Sequence, residues 1–401
     1  MAEAESIQTF NVIDQAGLDL LVDAGYEVGS EVTDPTAIIL RSHALQPDEV
    51  AETVDVVVRA GAGVNNVPTD ELTTRGVVVE NTPGQNALSV TELVVAGMLV
   101  GARNLDQAIR FSSDLTPDTL NTIELAKKRF AGHEIHGQTL AVIGLGAIGV
   151  NVANTGHALG MNVLGHDRFI GNDNLHRLQP EVKRVKSLET AIGMADFVSI
   201  HVPLLETTRD MVNAEMLTAM KRGAILLNFA RGELVVASDI VDALDDGRLG
   251  KYVTDFPSIE YLDHPDVVAT PHLGASTEEA ERNCATAAAK QVDEFIANGT
   301  IANSVNFPEV QLRRKPESGA RALVLHLDEA GILHAITGQI AARGLNIAGI
   351  ENGSKKLEGK VGTAATLVDL DQQPGQDVAD LTAHIAGLDG VMRVVSVGSV
   401  E

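Results

Sequence analysis

A glycine-rich turn near the middle of the chain restricts the fold more than any other feature of the sequence. Residues 143–149 read Ile-Gly-Leu-Gly-Ala-Ile-Gly, which gives the spacing GxGxxG between an apolar run and a helical pattern. Gly144 permits a tight turn, Gly146 lets the backbone approach a pyrophosphate, and Gly149 allows close packing of the helix on the strand. The N–H groups and the positive dipole end of the helix then face the phosphates. The motif predicts a Rossmann-type unit that binds a dinucleotide.

An acidic residue after the next apolar run favours NAD as that dinucleotide. Asp167 lies eighteen residues beyond Gly149, after the predicted strand 161–165. A carboxylate at this position accepts hydrogen bonds from both ribose hydroxyls of NAD and repels the 2′-phosphate of NADP. Two alternatives stay open, because Arg168 is compatible with NADP and because a glycine-rich turn also occurs without any ligand.

Strand and helix patterns alternate through most of the chain. The strand patterns are apolar runs without polar alternation, which is typical of strands buried on both faces of a parallel sheet. They lie at residues 139–143, 161–165, 197–202, 224–228, 252–255 and 267–269, and short β-branched runs at 37–41, 54–60 and 77–80 precede them. Helical patterns at 147–159, 214–221 and 237–245 connect several of them, which implies right-handed crossovers and a doubly wound sheet.

The C-terminal part of the chain has a different order of patterns. A long helical pattern at 277–297 leads to a segment with two prolines and a basic triplet, which is typical of a linker. The elements predicted after it are strand 322–327, helix 331–342, strand 345–351, strand 363–370, helix 377–385 and strand 391–397. This βαββαβ order predicts a compact ferredoxin-like domain. The expected fold class is therefore α/β, with two doubly wound, Rossmann-like parallel-sheet domains and this smaller C-terminal domain.

Composition narrows the possible partners. The chain has 30 Lys and Arg against 55 Asp and Glu, a net charge of −25, and such a surface repels nucleic acid and anionic membranes. We therefore expect no nucleic-acid partner and no membrane attachment, and an anionic substrate needs a local basic pocket. The single cysteine, Cys284, cannot form an internal disulfide, and no Cys or His spacing predicts a metal site. The acidic start lacks the pattern of a signal peptide, so the cytoplasm is the expected location.

Three residues near predicted strand ends suggest the chemistry. Arg231 and His272 each follow a predicted strand, and Glu260 lies in a loop between them, where open α/β sheets place their sites. Arginine grips a carboxylate with a planar two-donor fork, and histidine takes the proton of a hydroxyl. A carboxylate beside the histidine stabilises its charged form. Together they suit hydride transfer at a carbon that carries a hydroxyl next to a carboxylate, although each residue alone also fits an ordinary surface or loop role.

Seven segments in chain order resemble those of the D-2-hydroxyacid dehydrogenase family. They are residues 58–67, 81–84, 144–149, 201–204, 228–232, 254–257 and 270–277. The resemblance implies that Arg231 is the catalytic arginine that binds the substrate carboxylate, that Glu260 belongs to an Arg–Glu–His triad, and that His272 is the proton donor. The family often has Glu-Pro at the second of these positions, whereas this chain has Glu260-Tyr261.

The resemblance, together with the glycine motif, assigns two binding sites. The expected cofactor-binding residues are Gly144, Gly146, Ala147, Ile148, Gly149, Asp167, His201, Val202, Pro203, Phe229, Ala230, Asp255, Gly274 and Ala275. The expected substrate-binding residues are Arg59, Ala60, Gly61, Gly63, Asn81 and Lys127. In the family, loop 59–63 turns its N–H groups toward the substrate carboxylate and Arg59 toward the phosphate. Lys127 belongs to the basic stretch 127–129, which is either a second phosphate contact or a solvated surface cluster.

Within the C-terminal βαββαβ pattern, residues 325–333 and 344–347 resemble the first strand–turn–helix and the second strand of an ACT domain. Where such domains pair edge to edge, the resemblance implies that L-serine binds at their interface, and His326, Asp328 and Asn346 are the candidate contacts with this effector. Asp328 stands where serine-sensitive relatives have asparagine, and its charge repels the serine carboxylate. A domain that only holds copies of the chain together is the open alternative. The resemblance also implies a homodimer or homotetramer.

The resemblance implies one activity and leaves two alternatives. The expected reaction is the NAD-dependent oxidation of 3-phospho-D-glycerate to 3-phosphooxypyruvate by hydride transfer, the first step of phosphorylated L-serine biosynthesis. The alternatives are a reductase of glyoxylate, hydroxypyruvate or 2-oxoglutarate, and an NAD-sensing regulator without turnover. The expected domains are a substrate-binding domain at 1–100 completed by 280–310, an NAD-binding Rossmann domain at 101–279, a linker at 311–320 and an ACT regulatory domain at 321–401.

Overall fold

The computed structural model describes residues 5–314, 319–357, 359–371 and 378–397. Its strands are β1 (Ser6–Phe10), β2 (Glu27–Gly29), β3 (Ala37–Leu40), β4 (Val56–Arg59), β5 (Val78–Asn81), β6 (Thr139–Ile143), β7 (Asn162–His166), β8 (Lys183–Arg184), β9 (Phe197–Ile200), β10 (Ala224–Asn228), β11 (Leu249–Thr254), β12 (Val267–Ala269), β13 (Ala320–Leu327), β14 (Asn346–Lys355), β15 (Thr363–Asp371) and β16 (Val391–Val397). Its α-helices are α1 (Gln15–Asp23), α2 (Thr69–Thr74), α3 (Ala87–Arg103), α4 (Leu105–Ser113), α5 (Ile123–Ala126), α6 (Ala147–Ala158), α7 (Asn172–Arg177), α8 (Leu188–Met194), α9 (Ala214–Ala219), α10 (Ala237–Asp245), α11 (Glu278–Asn298), α12 (Ile332–Ala342) and α13 (Val378–Ala386). Parts of the predicted linker (315–318) and of the predicted C-terminal domain (358, 372–377 and 398–401) lie outside the described residues.

The chain divides into two compact units, Met1–Gln85 with Glu281–Glu401, and Asn86–Ala280. The first unit contains a parallel sheet with the strand order β2-β1-β3-β4-β5. Ile38 and Ile39 on β3 point to opposite faces of this sheet, and both are at most 1% exposed. The sheet is therefore buried on both faces.

The second unit is a seven-stranded parallel sheet with the order β12-β11-β10-β9-β6-β7-β8. Leu140 and Val142 of β6 belong to the apolar cluster on one face, and Ala141 and Ile143 belong to the cluster on the other. The strand order reverses beside β6, which has β7 on one side and β9 on the other. In such sheets the ligand site lies at the carboxyl ends of the strands beside this reversal.

Helix α3 is the main apolar helix of the second unit and packs on β10 and β11. A Cβ added at Gly97 would lie 2.9 Å from the Phe229 ring, so this glycine is what allows the close contact. In the described part of the chain no single helix combines the length and apolarity of a membrane span. Helices α3 and α4 have the required length and apolarity only when taken together, and the chain bends by 73° between them.

A small antiparallel sheet completes the first unit. Its order is β14-β15-β13-β16, and α12 and α13 cover one face through Ile336 and Leu381. The other face contributes Leu323 and Leu325 to a cluster that also contains Phe295 of α11 and the apolar side chains of β1, β3 and β4. The predicted fold class is thus confirmed, and the antiparallel sheet shares a core with the first parallel sheet. The predicted domain boundaries stay a prediction.

Polar contacts reinforce this shared core. Arg393 on β16 pairs with Asp55 at 2.7 Å. Arg321 on β13 donates through Nε and Nη2 to the two Asp369 carboxylate oxygens at 2.6 and 2.9 Å, and both side chains are buried. Its Nη1 donates to the Asn298 carbonyl at 2.9 Å, at the end of α11. The Arg321 guanidinium therefore links the antiparallel sheet to α11. Both oxygens of the Asp369 carboxylate compensate its charge.

Candidate active site

The glycine turn between β6 and α6 has the geometry that a bound pyrophosphate requires. Gly144 has a φ of 92°, and a Cβ there would lie 2.5 Å from the His201 carbonyl oxygen. A Cβ at Gly149 would overlap the Gly144 carbonyl oxygen, whereas a Cβ at Gly146 would meet nothing within 4 Å. Two of the glycines are thus needed by the fold itself. Gly146 instead leaves an open space beside the first N–H groups of α6, at Ala147 and Ile148, where phosphate oxygens bind.

Asp167 is held beside this turn by two main-chain donors. Its Oδ2 accepts from the Leu145 N–H at 2.6 Å and its Oδ1 from the Phe169 N–H at 2.7 Å. A carboxylate offers about four acceptor positions, so each oxygen can accept one further bond. The side chain thus stands after β7 with acceptors available for two ribose hydroxyls, and these residues fit an NAD molecule.

Other expected cofactor residues lie at the carboxyl ends of neighbouring strands. His201, Val202 and Pro203 follow β9, Phe229 and Ala230 follow β10, and Gly274 and Ala275 lie in the turn after β12. Burial lowers the pKa of His201 to about 3, so its ring is neutral, and its Nε2 is bonded to the Ser199 hydroxyl at 2.8 Å. Because Phe229 is buried and His201 is half-buried, these two side chains support the site from beneath.

Asp255 presents a buried acceptor at the end of β11. Its Oδ2 accepts from the Gly274 N–H at 2.9 Å, and its Oδ1 is buried with no hydrogen-bond partner in the described chain. Burial raises the pKa of Asp255, while the Gly274 N–H and the charges of His272 and Arg231 oppose the rise. A buried acceptor of this kind needs a donor, and the carboxamide N–H of a nicotinamide is one.

Arg231 is fixed through its main chain by Asn228, a fully buried residue that sequence reasoning missed. The Asn228 Nδ2 donates to the Arg231 carbonyl at 2.8 Å, and its Oδ1 accepts from the Ala230 N–H at 3.1 Å. The Arg231 Nη1 donates to the Ala230 carbonyl at 2.6 Å. The signal in the sequence is an amide residue at the end of an apolar strand, where only internal hydrogen bonds can satisfy it.

His272 has a backbone conformation that is unusual for its residue type. Its φ is 48°, in the left-handed region, and its N–H donates to the Asp255 carbonyl at 2.8 Å. Its ring lies 4.8 Å from the Phe256 ring, and the side chain is exposed. Strain of this kind persists only where surrounding contacts hold it, and here they hold an imidazole beside Asp255.

The third expected catalytic residue is not joined to the other two. Glu260 is exposed, and within the described residues no ion pair or hydrogen bond links its carboxylate to His272 or Arg231. The structure therefore brings Arg231 and His272 together around Asp255, and the role of Glu260 stays a prediction. Its neighbour Tyr261 is buried and donates through its hydroxyl to the Phe256 carbonyl.

In the first unit, the expected substrate loop closes around Arg59. The Gly61 N–H donates to the Arg59 carbonyl at 2.8 Å, and a Cβ at Gly61 would overlap the Arg59 guanidinium. The Asn81 Nδ2 donates to the Ala62 carbonyl at 2.5 Å, so Asn81 fixes the loop that also contains Ala60 and Gly63. Asn81 and Arg59 are thus brought together at the carboxyl ends of β4 and β5.

A second arginine, which sequence reasoning missed, lies beside this loop. The Arg59 Nε donates to the Arg41 carbonyl at 3.0 Å, and the Arg41 side chain pairs with Glu281 at 2.9 Å. Arg41 directly follows β3, so a strand-end position was the available signal. The buried Cys284 thiol lies near both arginines. Burial raises the pKa of this thiol, and the charges of Arg41 and Arg59 lower it.

Lys127 and the effector candidates have internal partners. Lys127 is exposed and pairs with Glu124. His326 is buried, with Nδ1 at 2.7 Å from the Leu327 carbonyl and Nε2 at 3.0 Å from the Thr366 hydroxyl. Asp328 is exposed, and the Asn346 Nδ2 donates to Asp371 at 2.6 Å. The roles of these residues stay predictions.

His326 and Asn346 do not meet within one chain. His326 pairs with Ala364 and Asn346 pairs with Asp371, seven residues apart on β15, which corresponds to about 23 Å at about 3.3 Å per residue. Within the described residues, no group of three His, Cys, Asp or Glu side chains is arranged to hold a metal ion.

Comparison with known proteins gives consistent matches. Residues 95–274 match the family described as D-isomer specific 2-hydroxyacid dehydrogenase, NAD binding domain. The chain is 31% identical to the D-3-phosphoglycerate dehydrogenase of Haemophilus influenzae over 415 residues, which covers 96% of this chain and 95% of that protein. It is 34% identical to the D-3-phosphoglycerate dehydrogenase of Methanocaldococcus jannaschii, covering 71% of this chain and 54% of that protein. The chain thus spans nearly all of one relative and about half of the other.

A solved structure with a similar fold is the NAD⁺-bound 3-phosphoglycerate dehydrogenase of Entamoeba histolytica. The TM-score is 0.61 at 26% identity, and the match covers 76% of this chain and 99% of that one.

Proposed function

Because the chain belongs to the D-isomer-specific 2-hydroxyacid dehydrogenase family, we propose that it oxidises 3-phospho-D-glycerate to 3-phosphooxypyruvate, the first step of the phosphorylated route to L-serine. The observation that carries this proposal is the match to a D-3-phosphoglycerate dehydrogenase over almost the whole of both chains. The chain contains the family's NAD-binding domain, and NAD is its cofactor. When bound, NAD supplies the acceptor for the hydride.

The residues of the second unit take the following parts in this reaction. Arg231 binds the substrate carboxylate with a two-donor fork and so orients the carbon that loses hydride. His272 accepts the hydroxyl proton in oxidation and returns it in reduction. Glu260 stabilises the charged imidazole once the loop brings it near. Gly146, Asp167 and Asp255 hold the phosphate, ribose and carboxamide groups of the cofactor.

The residues of the first unit hold the rest of the substrate. Arg59 binds the phosphate and Arg41 adds a second positive charge, which a chain of net charge −25 needs to attract an anion. The N–H groups of loop 59–63 face the carboxylate. Lys127 is a further phosphate contact in this proposal, provided that it leaves Glu124.

The experiment is a comparison of 2-oxo acids in the direction of NADH oxidation. We expect a higher kcat/KM for 3-phosphooxypyruvate than for hydroxypyruvate, glyoxylate or 2-oxoglutarate. Arg59→Gln should lower kcat/KM for the phosphorylated acid by about tenfold or more and change that for hydroxypyruvate less, because one charge-assisted contact is lost. Arg177→Gln, on the surface of the second unit, is the control. A wild-type preference for an unphosphorylated acid would make the proposed substrate wrong.

We further propose that the chain acts in the cytoplasm as a homodimer or homotetramer and that its antiparallel sheets pair through the edge strand β14. Pairing of two copies brings Asn346 of one chain toward His326 and Asp328 of another, which supports L-serine as a ligand between copies. Light scattering tests the assembly, and calorimetric titration with L-serine tests the ligand. A monomer contradicts the first, and no heat at millimolar serine contradicts the second.

A further inference from the structure

Two tyrosines lie beneath the candidate active site and contact each other. Tyr252 is on β11 and Tyr261 is in the loop after it, and their rings meet edge to face with centroids 5.3 Å apart. Tyr252 is 0% and Tyr261 4% exposed, within an otherwise apolar cluster. Each hydroxyl lies near enough to the other ring system to affect its pKa. Phenylalanine would fill the same space and leave no buried hydroxyl in need of a hydrogen-bond partner. We therefore expect the two hydroxyls to have a specific role.

Each hydroxyl bonds a group at the start of a loop that carries an expected catalytic residue. The Asn228 Nδ2 donates to the Tyr252 hydroxyl at 3.3 Å and also to the Arg231 carbonyl at 2.8 Å. At the other end, the Tyr261 hydroxyl donates to the Phe256 carbonyl. Burial raises the pKa of both phenols, so both keep their protons. Hydrogen bonds therefore run from the Arg231 loop through Asn228 to Tyr252 and from Tyr261 to the Phe256 carbonyl, and the edge-to-face contact of the two rings joins them.

Thr254 closes this network from the strand side. Its hydroxyl donates to the Asn228 carbonyl at 2.8 Å and accepts from the Phe256 N–H at 3.1 Å. Asn228 thus uses its carbonyl, both Nδ2 hydrogens and Oδ1. A fully satisfied buried network fixes one arrangement of the main chain, because any other leaves a polar group without a partner.

Tyr261 restrains the segment that follows the cofactor-binding Asp255. Glu260 directly precedes it, and the family often has proline here. A proline ring restrains the backbone by fixing φ, whereas in this chain a side-chain hydroxyl restrains it by binding the Phe256 carbonyl. The restraint therefore depends on a hydrogen bond that one oxygen atom supplies.

We propose that Tyr252 and Tyr261 are positioning residues, whose hydroxyl hydrogen bonds and ring contact set the main-chain course of Arg231 and of the Glu260 segment for binding the carboxylate of a 2-oxo acid. The proposal rests on the proposed function for the role of Arg231. It does not depend on which 2-oxo acid is the substrate, since all of them share the carboxylate.

The test uses the full chain with Tyr252→Phe, Tyr261→Phe and the double change. Each keeps its ring, so the packing of the apolar cluster persists. Tyr26→Phe is the matched control, because Tyr26 bonds Asp293 at 2.9 Å in the first unit. For each protein we would measure kcat and KM for the best 2-oxo acid of the wild type, Kd for NADH, Kd for oxamate with NADH present, and Tm. Oxamate has the carboxylate of a 2-oxo acid but is not reduced by NADH, so its Kd measures binding alone.

We expect each site variant to raise KM and the oxamate Kd by about five- to tenfold, while the NADH Kd stays within about twofold. The double variant should lose at least as much as either single variant. Values within about twofold of wild type in both single variants overturn the proposal. A fall in Tm alone also overturns it. If Tyr252→Phe does not fold, the KM and the oxamate Kd of Tyr261→Phe alone test the proposal.

The outcomes separate this proposal from the proposed function. If the wild type prefers an unphosphorylated acid, the substrate assignment is wrong, and the tyrosine test proceeds with that acid. If the wild type turns over none of the acids, the oxamate and NADH titrations still compare the variants.

Discussion

Glu80 is a carboxyl group in the interior of the first unit, and both groups that donate to it are neutral. It is 0% exposed and accepts from the Gln291 side chain at 2.8 Å and from the Ala302 N–H at 2.9 Å. Burial raises the pKa of Glu80 from 4.5 to about 8. At neutral pH the folded chain therefore holds a proton that the unfolded chain has released, next to the loop residue Asn81.

This proton makes stability depend on pH. Between about 4.5 and about 8 the folded state binds more protons at Glu80 than the unfolded state, so its contribution to stability falls as pH rises and levels off above that range. Glu80→Gln should remove this contribution, and its Tm should decline less than the wild-type Tm between pH 6 and pH 9. Thermal unfolding at several pH values measures this. The exposed Glu92→Gln is the control, and parallel Tm curves for Glu80→Gln and wild type would contradict the expectation.

At the scale of elements, the turn before α6 separates glycines that serve the fold from the glycine that serves the ligand. Gly149 is closed off by the Gly144 carbonyl oxygen, and Gly146 faces open space. Gly146 has a φ of −73°, which any residue adopts. Glycine is therefore required for two different physical reasons at two positions of one motif.

Gly146→Ala should leave Tm within about 2 °C of wild type and weaken NADH binding by about tenfold or more, because its Cβ enters the space of the phosphates. Gly149→Ala should lower Tm, because its Cβ overlaps the main chain. Gly171→Ala, which also precedes a helix and faces open space, is the matched control for binding. Tm by calorimetry and Kd by NADH fluorescence measure the two effects. Unchanged NADH affinity in Gly146→Ala would remove Gly146 from the cofactor site.

The strands of the second unit follow from the sequence because their signal is local. β6 has the predicted bounds 139–143, and β10 and β12 also agree, since an unalternated apolar run identifies a strand buried on both faces. The short β2 and the polar helix α2 have no such run and were missed. Arg41 and Glu80 were missed for another reason. Arg41 bonds Glu281, and Glu80 bonds Gln291, so their partners lie more than 200 residues away and no local pattern reports them.

At the scale of the whole molecule, the antiparallel sheet is part of the first unit's interior. Leu323 and Leu325 pack in the same cluster as Val56 and Phe295. The order of elements predicted a ferredoxin-like domain and the resemblance implied a regulatory one, and neither reports which face of the sheet is covered. The shared cluster adds a structural role to that domain.

A chain that ends at residue 314 should therefore lose thermal stability and associate through the exposed apolar face, because Phe295 and its neighbours lose their cover. Size-exclusion chromatography and Tm measure this. Lys360→Ala is the control in the full chain, because its exposed pair with Asp70 contributes only about 0–1 kcal/mol. A truncated chain with wild-type Tm and a single symmetric peak would contradict the shared core.

The shared cluster also determines the order in which a ribosome can complete this molecule. The second unit, Asn86–Ala280, has all its strands once it has left the exit tunnel, and domains generally fold as units during synthesis. The first five strands emerge earlier, yet the residues that complete the apolar cluster on one face of their sheet begin near Glu281 and continue to Val397. That face of the nascent sheet must therefore stay open to chaperones until Val397 has been made.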